Sequence, residues 1–138
     1  MFNPTGVHAS IACTDLDRAT EWYAEKLGLK PMGGDPNGAY YAVGETRFLL
    51  YPSQFSGTAQ NTVMTFEVDD VEGAVQDLMA NGITFEEYDM GEWGKTVNGV
   101  MTVKSEDVGE FLMAWFKDID GNVLGISNLV SLALSRGR

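Results

Sequence analysis

The chain is poor in the side chains that carry most enzyme chemistry. It has one cysteine, Cys13, and one histidine, His8. A lone cysteine cannot form an internal disulfide, and a zinc site built from cysteines is excluded. Cys13 lies in an apolar stretch without an adjacent base, which reads as a small buried thiol rather than a nucleophile. Basic residues are also scarce: 9 against 20 acidic, a net charge of −11. With no basic stripe, such a chain repels phosphate backbones and anionic lipid, so neither nucleic acid nor a membrane is an expected partner. The acidity by itself favours solubility. No apolar run approaches the ~20 residues of a membrane-spanning helix. The start, MFNPTGVHAS, lacks the charged and apolar regions of a signal peptide, so the expected address is the cytoplasm. Ser-His-Asp order, a glycine-rich phosphate loop and His-x-x-x-His are all missing. Asp118, Asp120 and Asn122 lack the spaced Glu of a calcium loop and read as a turn.

What the chain does have is a repeat. Its 138 residues, 44% of them apolar, suit one domain with a real core. The stretch Gly6 to Leu29, GVHASIACTDLDRATEWYAEKLGL, reads as a strand, a capped helix and a glycine stop. A weaker copy runs from Asn61 to Ile83, NTVMTFEVDDVEGAVQDLMANGI. Asp15-Leu16 aligns with Asp70-Val71, and Gly28 falls within one position of Gly82.

Val7 to Cys13 alternates as a strand, with His8, Ser10 and Ala12 on one face and Val7, Ala9, Ile11 and Cys13 on the other. Thr14 or Asp15 caps a helix whose apolar stripe is Leu16, Ala19, Tyr23 and Leu27, stopped by Gly28. Lys30 to Met32 reads as a brief strand and Gly33 to Gly38 as a turn cluster. Ala39 to Val43 and Arg47 to Tyr51 complete a β-α-β-β-β unit. The second unit begins with a strand over Thr62 to Val68. Asp69 or Asp70 caps a helix with Val71, Ala74, Val75 and Leu78 buried. Ile83 to Tyr88 reads as a strand, Asp89 to Gly109 as an irregular stretch holding a hairpin near Gly99, then Glu110 to Lys117 and Val123 to Ser127 as strands. The modules run from about 6 to 52 and 61 to 128, with a polar linker at 53–60 and a tail at 129–138 that is either a short packing helix or frayed.

One helix covers one face of each sheet. Two such units can curve their other faces around a shared cleft. The expected fold is therefore α+β, two tandem βαβββ modules forming a curved mixed sheet around that cleft. Alternation points His8, Val63, Leu50 and Gly125 into it, with one residue of register slack that leaves Tyr51 and Ile126 open. The two units, DLDRATEWYAEKLGL in the first and WFKDIDGNVLGIS closing the second, resemble the vicinal oxygen chelate superfamily. That is the glyoxalase, bleomycin-resistance and extradiol-dioxygenase group. The resemblance runs from Gly6 to about Asn128 and implies the fold. It does not select among lyases, isomerases, dioxygenases and drug-sequestering proteins.

The resemblance implies a divalent metal held by His, Glu or Gln from the first and fourth strands. His8 falls on the first such position. Val63 and Gly125 stand at the second-module positions, and Leu50 or Tyr51 at the remaining one. A single imidazole does not make a divalent site, so no metal and no cofactor are expected. Glu67 and Glu45 are not placed to replace the missing ligands. The expected ligand-binding set is His8, Ser10, Tyr40, Leu50, Tyr51, Val63, Thr65, Trp93, Met101, Met113, Trp115 and Gly125. It suits a hydrophobic or aromatic small molecule. Trp93 stands out, because GEWG is a glycine-rich loop with no core for an indole to fill.

The primary expectation is a metal-independent small-molecule-binding protein. The alternative is a lyase- or isomerase-type enzyme of the same superfamily, or a dioxygenase-like one, acting on a small carbonyl or aromatic substrate. In it His8 is catalytic, as general base or as the sole retained metal ligand. A third is an interaction module using the acidic surface or the tail. Superfamily resemblance also implies a possible homodimer, with the apolar tail at the interface.

Overall fold

A computed structural model describes residues 1–136. The chain divides into two compact units, one comprising Met1–Val63 with Asp118–Asn122, the other Met64–Lys117 with the segment from Val123 onward. Each carries one sheet, of four and five strands, and three helices complete the α+β fold.

The first unit contains β1 (Ala9–Cys13), α1 (Leu16–Leu27), β2 (Gly33–Asp35), β3 (Gly38–Val43) and β4 (Thr46–Pro52), in the sheet order β1-β4-β3-β2. β1 runs parallel to β4 and the other pairs are antiparallel. The Asp15 carboxylate accepts from the Arg18 amide and caps α1. Gly28 ends it at φ 70, a left-handed conformation that glycine adopts without a Cβ penalty. Ala19 and Tyr23 on the predicted stripe are fully buried. Their partners are Ile11, Cys13, Ala39, Tyr41, Phe48 and Leu50, all buried and all on one face of the sheet by register. Tyr41 and Phe48 stack with ring centroids 4.5 Å apart.

The segment Asp118–Asn122 completes this unit with a dense polar knot. The buried Asp118 carboxylate accepts from Tyr23 Oη at 2.7 Å, from the amides of Asp120 and Asn122 at 2.9 and 3.0 Å, and from Asn122 Nδ2 at 3.0 Å. Asn122 Nδ2 also donates to the Ala12 carbonyl, and Asn122 Oδ1 accepts from the Gly57 amide. Asp120 Oδ1 accepts from the Thr14 amide. A buried carboxylate without a cation is tolerable here because four donors replace its water. Gly57 has φ +69, and a Cβ there would collide with the Asp120 carbonyl.

The second sheet has the order β5-β9-β8-β7-β6, from β5 (Thr62–Glu67), β6 (Thr96–Val97), β7 (Val100–Ser105), β8 (Gly109–Lys117) and β9 (Val123–Ser127). α2 (Val71–Ala80) is capped by Asp70, whose side chain accepts from the Gly73 amide, and buries Val71 and Val75. α3 (Leu129–Arg136) settles the tail as a helix; Gly137 and Arg138 lie outside the described residues. Glu67 Oε2 accepts from the Ser131 amide in its first turn, where a carboxylate complements the helix dipole.

Three expected elements differ. The first strand begins at Ala9, so Val7 and His8 precede it, exposed. β2 occupies Gly33–Asp35 rather than Lys30 to Met32. Gly33 lies directly beneath the ring of its cross-strand partner Tyr40, which supplies the packing the glycine lacks. Ile83 to Tyr88 makes only one bridge, Phe85 to Phe116, because β7 already pairs with β8 as far as Ala114.

Candidate functional site

The register sorts the expected site residues by face. In the first unit Ser10 pairs with Leu49 and Leu49 with Tyr40, so these three share the face turned away from α1, together with Tyr51 opposite Ala12. Tyr40 is exposed and Tyr51 half-buried. Leu50 points the other way, pairing with Ile11 and Ala39, and is 0% exposed beneath α1. The one-residue slack thus resolves toward Tyr51, and Leu50 is core. His8 lies before β1, exposed, with no hydrogen-bond partner among the described residues.

In the second unit Met101 pairs with Met113, Met113 with Ser127, and Trp115 with Gly125. These residues share the face turned away from the α2 side, to which Ala114, Phe116, Leu124 and Ile126 belong by alternation. Met101, Trp115 and Val123 form a buried cluster against which Tyr88, Val103 and Met113 pack. Met101 and Trp115 are closed to solvent, at 1% and 6%, whereas Met113 and Val103 are half-buried and reachable. The Tyr88 ring meets Trp115 edge-on at 5.4 Å. Burial is the first cause raising the Tyr88 phenol above its ordinary range, with the Glu86 charge next and Lys117 opposing. Val63 and Thr65 share one face of β5, Val63 half-buried and Thr65 exposed.

Trp93 ends a short 3₁₀ turn, Gly91–Trp93, and is 77% exposed. Gly91 and Gly94 flank it at φ +63 and +119, and the Met90 amide bonds the Gly94 carbonyl. A Cβ on Gly94 would stand 3.2 Å from Met101 Cγ. The indole is therefore carried on a glycine-bounded tip rooted beside the Met101–Met113 face.

Tyr88 and Val103 were not among the expected residues. Val103 was legible, since it alternates with Met101 on one strand. Tyr88 was not, because its position depends on the Thr96 side chain, whose hydroxyl accepts from the Tyr88 amide at 2.7 Å.

No group of three or more His, Cys, Asp or Glu able to hold a metal ion occurs among the described residues. Val63 and Gly125 offer no donor atom. Glu67 is engaged by Ser131. The donor set does not fit a divalent metal of the superfamily kind. Cys13 is buried, and its thiol is pushed up to about 11, first by burial and then by the carboxylates of Asp120, Asp118 and Asp15. That thiol is a poor nucleophile at neutral pH.

Paired βαβββ units, each with one helix and a second sheet face free of that helix, define a structural class rather than an activity. The chain belongs to the glyoxalase/bleomycin resistance protein/dioxygenase superfamily, whose family model matches residues 6–126. Solved structures share the fold at low identity. TnmS3, an antibiotic binding protein from Streptomyces sp. CB03234, is 20% identical with a TM-score of 0.63, covering 91% of this chain and 97% of its own. A glyoxalase/bleomycin resistance protein from Catenulispora acidiphila is 18% identical with a TM-score of 0.60, covering 88% and 95%. UcmS2 is 17% identical with a TM-score of 0.65, covering 92% and 99%. None of the curated proteins matches the chain in sequence. No helix among the described residues is long and apolar enough to cross a membrane.

Proposed function

We propose that the protein binds a small hydrophobic or aromatic compound without a family-type metal, and acts in the cytoplasm. One observation carries this reading: the second-unit face bearing Met101, Val103, Met113 and Trp115 presents a packed apolar cluster of adaptable side chains. Met113 and Val103 offer the reachable surface, Trp115 backs it, and Trp93 stands on its tip as an exposed aromatic contact. Ser10, Tyr40 and Tyr51 supply polar and aromatic groups on the open face of the first unit. The fold shared with an antibiotic binding protein supports small-molecule binding as a use of this architecture. An enzymatic role for His8 is the weaker reading, because no hydrogen bond from another described residue orients or polarises the imidazole. α3 leaves Val130 and Leu134 exposed one turn apart, the proposed surface for a homodimer.

The test uses protein treated with EDTA. Nile red and a natural-product library are titrated while tryptophan emission is followed. Saturable binding in the micromolar range supports the reading. Silence across the library, or binding that requires added zinc or nickel, contradicts it.

A further inference from the structure

The α2 side of the second unit holds an open groove of ≈ 720 Å³, on the opposite face of the sheet from Met101 and Met113. Glu72, Val75, Gln76 and Met79 form one wall, at the three- and four-residue spacing of one helix face. Val100, Thr102 and Leu112 are the floor, and Glu87, Val97 and Asn98 the far wall. The groove runs beside α2 over the sheet. The 10 residues of α2 span about 15 Å, while the 9 residues of β8 beneath it span about 30 Å.

The far wall is held in place by local geometry. Asn98 and Gly99 have φ 52 and +83, the two left-handed residues of a tight hairpin turn between β6 and β7. A Cβ on Gly99 would lie 2.9 Å from Phe85 Cβ and 3.8 Å from Glu87 Oε1. Close packing of the turn on Phe85 therefore fixes Asn98 and Glu87 along the same rim.

The lining is apolar at Val75, Met79, Val97, Val100 and Leu112, and its only charges are the carboxylates of Glu72 and Glu87. Neither has a basic partner among the described residues. The α2 N-terminus stabilises Glu72; Glu87 has no such offset. We propose that this groove is a second binding site, for a small amphipathic cation: an amine carried on an aromatic or aliphatic body. The ammonium group pairs with Glu87, and the body lies on Met79, Val97, Val100 and Leu112. A volume in the drug-sized range accommodates such a ligand, and an anion of the same shape is repelled.

Methyl-labelled methionine reads the two faces separately, since Met79 borders the groove and Met113 the apolar face. The probes are 4-phenylbutylamine and 4-phenylbutyrate, which share one body and differ in charge. The amine is expected to shift the Met79 methyl saturably; the carboxylate is expected to leave it in place. Glu87→Gln, at an exposed position, weakens the amine by about threefold to fivefold, the range of one exposed charge pair. Glu106→Gln, on the exposed β7–β8 turn, leaves it unchanged. Equal shifts from both probes, a silent Met79, or equal weakening by both substitutions (general attraction to an acidic protein) would overturn the proposal. Each result is independent of what Met113 reports about the apolar face.

Discussion

The two units carry the same β-α-β-β-β pattern but close their cores differently. In the first, the 12-residue α1 seats Tyr23 over Tyr41, Phe48 and Leu50, and the Asp118 knot ties Tyr23, Ala12, Thr14 and Gly57 together. In the second, the 10-residue α2 buries only Val71 and Val75, leaves a groove beside Met79, and the other sheet face is topped by a glycine-bounded tip. In the first unit a large buried aromatic, Tyr23, fills the core and has its hydroxyl satisfied by Asp118. On the α2 side Phe116, Leu124 and Ile126 are buried, while Glu72, Gln76 and Met79 stay exposed along the groove. The difference bears on the proposed binding surface: the second unit leaves apolar side chains such as Met113 and Met79 reachable, whereas the helix-covered face of the first is closed.

The comparison breaks most severely at Asp118. Asp118→Ala strips the acceptor from Tyr23 Oη, Asn122 and the Asp120 amide at once, and is expected to cost about 3–5 kcal/mol in chemical denaturation. Retained stability would mean that water replaces the carboxylate and that the first unit is not held by this knot. Alkaline pH strikes the same unit next. Folded Cys13 and Tyr41 hold their protons to about 11 and about 12, burial being the main cause in each. Above their unfolded values the unfolded chain binds fewer protons than the folded one, so stability falls as pH rises from about 9 to 12. Thermal melts across that range should show the decline, and Cys13→Ala should remove its share, leaving that of the raised Tyr41 and Tyr23 phenols.

A finer contrast sets two tyrosines against each other. Tyr23 Oη donates to Asp118, whereas the buried Tyr41 hydroxyl has no hydrogen-bond partner among the described residues. Tyr23→Phe is expected to cost about 1–3 kcal/mol, and Tyr41→Phe close to nothing, since it removes a polar group that is desolvated without compensation. Equal costs would show that a bound water serves Tyr41. The smallest effect on stability belongs to the second unit: Trp93→Ala should change it by less than about 0.5 kcal/mol. Its effect should appear instead in ligand affinity. Substantial unfolding on that change would make Trp93 a packing residue.

Much of the fold was legible because the repeat makes each half explain the other. Asp15 and Asp70 as caps, Gly28 as a stop, and the stripes through Tyr23 and Val75 follow from local rules that tertiary contacts did not override. β2 was misplaced because glycines ordinarily signal turns, and the cross-strand cover from Tyr40 is invisible in sequence. Leu50 and Tyr51 could not be told apart, since one residue of slip exchanges the faces and only pairing with β1 fixes it. The turn at Asp118 was recognised, but its side chains reach α1 and β1 across about a hundred residues of chain, with |i−j| of 95 to Tyr23 and 110 to Ala12.

The most direct test of the central claim is a methyl-methionine NMR titration of the EDTA-treated protein with hydrophobic and aromatic compounds. The account predicts saturable shifts at Met113, with Met32 and Met64 unmoved. A Met113 signal that responds to no compound, or only after a divalent metal is restored, would contradict it.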